Sequence, residues 1–417
     1  MEAQGPVGAV TGKTGVGDVG AVTSEPVQAL WPAPAVLRHA WLGRGPGLDY
    51  LALPSARAPR LLVPTDVAGA DRMLARFGGG RRKSWARSVL RATLRSGLSS
   101  WAPLPRLRVV PDPDGIESHV ARVLGRAVRL GVLLGPPRAN IKPVLQVFAE
   151  DGSTVAFAKV ATSTVTAPLL STEAAALRRL ADADLAGVVV PELVDFGAWR
   201  DLPVLVQRAL PGAQSGRAPT VLPTDAVAAI ASSDGTTRGR LTASRFWSDV
   251  HDVGPARWHD LDTSPMRRLG DALASSDPEC LWGAWHGDLG PWNAARGAHG
   301  LEVWDWERYE RGVPVGLDGA HWRAQLDVGT PAVDAWSAMT RDVAEVLDAV
   351  TRSLPEHEPA GGSPTAAAVV AACYLLAIWR RYRHDADRSA SAALRARVAW
   401  LLQVADAAVT TLEGTSA

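Results

Sequence analysis

The stretch WHGDLGPWNAARGAHGLEVWDWE, Trp285 to Glu307, gathers His286, Asp288, Asn293 and Asp305 into one short segment. Gly297 to Gly300 marks a turn, and LEVW after it reads as a strand that delivers Asp305. A loop followed by such a hairpin holds Asp288, Asn293 and Asp305 near one another without any long-range contact. Two carboxylates and an amide all offer oxygen, which suits Mg²⁺, a hard cation that takes few protein ligands and completes its shell with phosphate oxygens and water. Zinc would be served poorly, because only one His is near and no Cys is placed to help. Turn-forming Asp and Asn also satisfy backbone groups in tight loops. That explanation covers each residue singly, so the rest of the chain has to decide.

Upstream, the pattern is strand-rich. Leu48 to Pro64 reads as a hairpin, PDPDG at Pro111 to Gly115 breaks the chain, and Ile116 to Leu124 has helical spacing. Val128 to Leu134 reads as a strand, and VLQVF and VAFAK as two more around the turn residues Glu150, Asp151 and Gly152. Ser171 or Thr172 is expected to cap a helix that runs to Ala183. VVVPELVDFGAW and LPVLVQ supply further strands, PGAQSG interrupts at Pro211 to Gly216, and helical periodicity dominates from residue 220 onward. The expected fold is α+β, a small β-rich lobe followed by a larger, mainly helical one. Four segments are expected: a disordered tail over 1–35, an N-terminal extension of unassigned role over 36–110, an N-lobe over 111–210 and a C-lobe over 211–417.

Composition sets outer bounds. At 417 residues, 47% hydrophobic and 21% charged, the chain suits a globular protein of more than one structural unit. A net charge of +1 removes any global argument for nucleic-acid binding. The charge is locally uneven: Arg72 to Val110 holds ten Lys or Arg and no acid, so this region is a candidate docking surface for an anionic partner. Two distant cysteines, Cys280 and Cys373, and no basic, apolar leader give the expectation of a cytoplasmic protein. The uncharged run Ala366 to Trp379 is too short for a membrane span and is read as a buried helix. GVGDVG at Gly15 to Gly20 and GKT at Gly12 to Thr14 imitate phosphate-binding motifs. No strand pattern precedes them, and Val7 stands where a P-loop needs its first glycine.

H-G-D-x-x-x-x-N followed by D-W-E resembles the catalytic loop and metal aspartate of the aminoglycoside phosphotransferase and choline kinase family, relatives of the protein kinases. The resemblance spans residues 115–400 and implies a two-lobed, protein-kinase-like fold with ATP or GTP and Mg²⁺ as cofactors. It implies that Asp288 is the base toward an acceptor hydroxyl, that His286 orients the loop, and that Asn293 and Asp305 hold the metal. Glu307 would assist the metal or touch the acceptor. Lys159, ending VAFAK, and Glu173, fourteen residues on, have the order and lobe of the pair that grips the α and β phosphates. LVQRALPG looks like the adenine-binding hinge, with Gln207 and Ala209 facing the base, and Asp318 matches an aspartate that supports the catalytic loop.

One element departs from the pattern. GPPRANIKP, Gly135 to Pro143, replaces the glycine-rich phosphate loop, so roles for Asn140 and Lys142 are left open. The implied reaction moves the γ-phosphoryl group to a hydroxyl of a small molecule of aminoglycoside, amino alcohol or sugar type. Between Pro211 and Thr330 there are 16 acidic against 11 basic residues, which leans toward a cationic acceptor. The alternative is a kinase-fold protein that binds a nucleotide or a partner without transfer. His321 and His251 are expected in core or surface roles, and most of the sixteen tryptophans in packing.

Overall fold

The computed structural model describes residues 25–32, 36–40, 47–76, 81–96, 104–110, 112–135, 141–212, 216–255, 257–354, 364–388 and 391–414. The imitation phosphate motifs before residue 21 and Asn140 lie outside these residues. The first half of the chain contributes β1 (Val36–Ala40), β2 (Leu48–Leu53), β3 (Leu61–Pro64), β4 (Arg106–Val110), β5 (Arg129–Leu133), β6 (Val144–Phe148), β7 (Thr154–Val160), β8 (Val188–Val189), β9 (Leu193–Trp199) and β10 (Leu202–Arg208). Its helices are α1 (Glu25–Leu30), α2 (Arg81–Arg95), α3 (Ile116–Leu124) and α4 (Thr166–Leu180).

Nine of these strands form one antiparallel sheet in the order β1-β4-β2-β3-β5-β6-β7-β10-β9. The division expected at residue 110 therefore falls inside a single sheet. β3 pairs with β5 through Leu61 opposite Leu133 and Leu62 opposite Val132, which joins the N-terminal extension to the lobe edge to edge. Alternation explains why the extension could not stand apart. Tyr50, Ala52 and Leu62 point to one face, where Val27 and Leu30 of α1 and Ile116 and Val120 of α3 cover them. Leu51, Leu61 and Val63 point to the other, against Met73, Leu74 and the α2 residues Leu90 and Leu94. The tail expected to run to residue 35 accordingly ends earlier: Val27 and Leu30 are fully buried.

The basic region is partly neutralised within the fold. Arg91 and Arg95 both reach Asp71, at 3.1 and 3.0 Å, and Arg108 grips Asp49 with two bonds of 2.6 and 2.8 Å. Arg106 is buried in the same strand. Less cationic surface remains for an outside partner than ten basic residues suggest.

Helix α4 starts five residues before the expected cap. Ser163 and Thr166 exchange reciprocal hydrogen bonds, each side-chain oxygen accepting from the other's backbone N–H, as in a capping box. Ser171 and Thr172 instead lie inside the helix and donate back to Ala167 O and Pro168 O.

The second half supplies β11 (Thr237–Arg240), β12 (Glu279–Trp285), β13 (Ala294–Gly297), β14 (Gly300–Val303) and β15 (Glu310–Pro314) among helices that build the larger core. The apolar run expected to be a buried helix lies in the helix Pro364–Arg388, with Cys373, Leu375 and Leu376 fully buried. Among the described residues no helix is long and apolar enough to cross a membrane. From β5 onward the chain runs strand, loop, strand, strand, helix and, past the short β8 of another sheet, two further strands of the large sheet before the helical lobe, the order of a protein-kinase-like fold, and the two-lobed α+β architecture expected from the sequence is present.

Candidate active site

Strand β12 ends at Trp285 and releases the chain into His286-Gly287-Asp288. Gly287 is required there: its φ is +80°, and a Cβ would sit 2.3 Å from Arg308 O. The loop is fixed from three sides. Asp318, on the helix Leu317–Leu326, accepts from His286 N–H at 2.6 Å and Gly287 N–H at 3.1 Å. Arg381 donates to Gly287 O at 2.7 Å and lies 5.3 Å over the Trp285 ring. Asn293 Nδ2 donates to Asp288 O at 2.9 Å and to Asp288 Oδ2 at 3.1 Å. These bonds use the nitrogen end of the amide and assign Oδ1 as the end that can face a cation.

His286 is fully buried and neutral. Its Nε2 lies 3.1 Å from Trp304 O, which requires a proton there, while Asp288 N–H donates to Nδ1 at 3.2 Å, which requires a bare nitrogen. Burial pulls its pKa down to about 4, in keeping with that tautomer. The ring also packs 4.5 Å from Trp306. His286 thus orients the loop and hydrogen-bonds it to the strand that delivers Asp305.

His321, expected in a core or surface role, is buried, and it lies beside Asp288. It is buried on the same helix as Asp318, three positions on, with Nε2 3.4 Å from Asp288 Oδ1 and Nδ1 3.2 Å from Tyr374 Oη. Burial alone would raise the Asp288 carboxyl, but the His321 imidazole 3.4 Å away outweighs it and holds Asp288 below the usual carboxylate range. The sequence signal was the helical i, i+3 spacing from Asp318, which puts both side chains on the face toward the loop.

The second half of the site is a cluster of charges. Lys159 sits in the sheet interior, opposite Val144 on one side and Leu205 on the other. Its Nζ donates to Glu173 Oε1 of α4 at 2.5 Å and to Asp305 Oδ1 at 2.6 Å. One ammonium therefore ties the sheet to α4 and to the strand end of the C-lobe. Burial would lower the Lys159 pKa, but Asp305 and Glu173 outweigh it and raise it. Burial would raise the Asp305 carboxyl, yet Lys159 and Lys142 hold it far below its usual value. Asp305 has a φ of +70°, a strained conformation for a residue with a side chain. Lys142, left open by the sequence, reaches this cluster too: its Nζ donates to Glu307 Oε2 and lies 3.8 Å from Asp305 Oδ1.

Glu173, Asp305 and Glu307 each bring a carboxylate oxygen to within 4.8 Å of the others. All three are engaged by a lysine, but Asp305, at 30% side-chain exposure against 0% for Glu173 and 9% for Glu307, is the carboxylate most open to a cation, and Asn293 Oδ1 is a further oxygen donor of the kind Mg²⁺ takes. Beside the cluster, Val144, Phe157, Lys159, Pro191, Gln207, Leu210 and Trp304 line a small cleft at the end of β10. Gln207, expected at the hinge, is among these lining residues. Ala209 is not among the lining residues, and its N–H donates to Val155 O at 3.2 Å, so that donor is already used within the sheet. A second cavity, of about 540 Å³, is lined in part by Thr172, Asp249, Trp285, Glu307, Glu310 and Arg381; Asp288 does not line it. Of the tryptophans around the loop, Trp285 and Trp306 are buried in packing, whereas Trp292 is 49% exposed.

No protein-family profile matches the chain, and no curated protein matches it. Among solved structures the chain is similar to an aminoglycoside phosphotransferase in complex with ADP and hygromycin B, at 17% identity and a TM-score of 0.46, over 71% of this chain and 98% of that one. It is similar to a spectinomycin phosphotransferase in complex with ADP and spectinomycin, at 11% identity and a TM-score of 0.42, over 70% and 98%. A glucosamine kinase in complex with glucosamine, ADP and inorganic phosphate follows at 16% identity and a TM-score of 0.41, over 74% and 88%. These similarities are distant, and the functional reading rests on side-chain geometry.

Proposed function

We propose that the protein is a Mg²⁺-dependent phosphotransferase that moves the γ-phosphoryl group of ATP or GTP to a hydroxyl of a small molecule. The observation that carries this reading is the bridge of Lys159 to both Glu173 and Asp305 across the two lobes, beside the Asp288–Asn293 loop. Phosphoryl transfer asks mostly for positioning and charge compensation, and that is what these residues offer. Lys159, held by Glu173, grips the phosphates. Asp305 and Asn293 Oδ1 are the residues that would hold Mg²⁺, which supplies positive charge against the phosphate oxygens when bound. Asp288 is kept ionised by His321 and partly open to solvent, at 37% side-chain exposure, so it can accept the proton of an incoming hydroxyl. Gln207 and Trp304 flank the cleft for the base, and Trp292 stands at the rim of the loop as a surface for an acceptor ring.

The acidic balance of residues 211–330 supports a cationic acceptor, an aminoglycoside or amino alcohol, over a neutral sugar. The test is transfer of label from γ-labelled ATP and GTP to panels of amino sugars, amino alcohols and neutral sugars. Mg²⁺-dependent labelling of an amine-bearing acceptor is expected, abolished in Asp288→Asn with nucleotide binding retained. Nucleotide binding with no labelling of any acceptor class would favour the non-catalytic alternative. Faster labelling of neutral sugars than of any amine would overturn the acceptor assignment alone.

A further inference from the structure

The Lys142–Glu307 ion pair is unexplained by the roles given so far. Both side chains are at least nine-tenths buried, at 8% and 9% exposure, although the segment before Lys142 carries no glycine-rich phosphate loop. The backbone behind Lys142 is fixed: Pro143 follows it, Val160 N–H donates to Pro143 O at 3.1 Å, and Val144 stands opposite Lys159 in the β6–β7 register. Lys142 and Lys159 are thus set beside each other at the ends of neighbouring strands, and both ammonium groups converge on Asp305, at 3.8 and 2.6 Å.

Charge counting shows what this arrangement is ready for. Glu173, Asp305 and Glu307 carry three negative charges against two from the lysines, so the cluster is nearly balanced without any ligand. A divalent cation on Asp305 changes the sum to +1, and a lysine 3.8 Å from the same carboxylate then competes with it. Lys142 is the ammonium that can yield, because it lies 3.8 Å from Asp305, beyond hydrogen-bond reach, whereas Lys159 is bonded to Asp305 at 2.6 Å and to the fully buried Glu173 at 2.5 Å. We propose that Lys142 is a second phosphate-binding lysine, whose ammonium pairs with Glu307 and Asp305 before nucleotide binds and turns to nucleotide phosphate oxygens when it does. The inference rests on the phosphotransferase reading and adds to it a residue that replaces the missing glycine-rich loop with a side-chain contact.

The test measures nucleotide affinity by calorimetry in the full chain, with chelator present and again with Mg²⁺. Lys142→Met keeps the aliphatic stem and removes the charge; it is expected to weaken binding about tenfold in both conditions, the usual effect of losing one charge-assisted bond. Glu307→Gln frees Lys142 from its competitor and is expected to tighten metal-free binding several-fold. Opposite signs separate a phosphate role from a structural one, in which losing either partner of a buried pair only weakens the fold and the site. Unchanged affinity in Lys142→Met, or weakening by both variants alike, would overturn the proposal while leaving the phosphotransferase reading intact. Absence of nucleotide binding in the unsubstituted protein, even with Mg²⁺, would overturn both.

Discussion

The Asp288 loop and the Lys159 cluster adjoin one another, yet they are held by different physics. The loop is fixed by directional hydrogen bonds, largely to backbone groups: Asp318 on two N–H groups, Asn293 on Asp288 O, Arg381 on Gly287 O, His286 between two chain segments. The cluster is fixed by charge, with two buried lysines shared among three carboxylates from two distant parts of the chain. Hydrogen bonds of the first kind persist whatever is bound, which suits a base that must stay in place. Ion pairs of the second kind exchange partners when charge enters, which suits a site for metal and polyphosphate.

Substitutions should separate the two. Asp288→Asn, which preserves shape and removes the base, is expected to lower turnover by about 10²–10⁴-fold with nucleotide affinity unchanged, measured by steady-state kinetics beside calorimetry. Lys159→Met should act on the fold as well as the site. It leaves the fully buried Glu173 without its cation, and a loss of about 3–5 kcal/mol in urea unfolding is expected. A stability loss from Asp288→Asn as large as that from Lys159→Met would erase the distinction.

The pH dependence of stability sharpens the contrast on the loop side. His286 has a folded pKa of about 4 against an ordinary value of 6.5, so below pH 6.5 the unfolded chain takes up a proton that the folded one refuses. Its contribution is complete above pH 6.5 and is lost as the pH falls toward 4, by about 3 kcal/mol in all. His286→Gln should therefore lower stability at pH 7.5 and flatten its decline between pH 6.5 and 4. A decline as steep as in the unsubstituted protein would show that His286 does not govern this window. The smallest effect belongs to His321→Leu. Without the imidazole, the main counterweight to burial of the Asp288 carboxyl is gone, so the acid limb of kcat/KM should move to higher pH, with turnover down about tenfold at neutral pH. Loss of turnover with an unmoved limb would reduce His321 to packing.

What the sequence made legible follows the same division. The loop could be read because its residues are close in sequence and its spacing is set by local turns, and Lys159 and Glu173 because a strand and the following helix carry them in order. Lys142 and His321 were not legible in the same way, since what matters about them is a partner 165 residues on in one case and 33 residues back in the other. The hairpin at Leu48–Pro64 was visible from its alternation, whereas its membership of the lobe's sheet depends on the β3–β5 pairing, which local pattern does not encode. The start of α4 was missed because Ser and Thr serve equally as caps and as back-bonding residues inside a helix, and only the Ser163–Thr166 exchange decides between them.

The central claim is that Asp305 joins the two halves of the site by holding metal against a nucleotide. The most direct measurement is thermal unfolding with ATP or GTP, with and without Mg²⁺, for the unsubstituted protein and Asp305→Ala. At about 100 times its dissociation constant a nucleotide adds about 2.7 kcal/mol, a shift of a few degrees in a chain of this size. A Mg²⁺-dependent shift present in the unsubstituted protein and absent in Asp305→Ala is the expected result. No shift with either nucleotide, or the same shift in both proteins, would contradict the assignment.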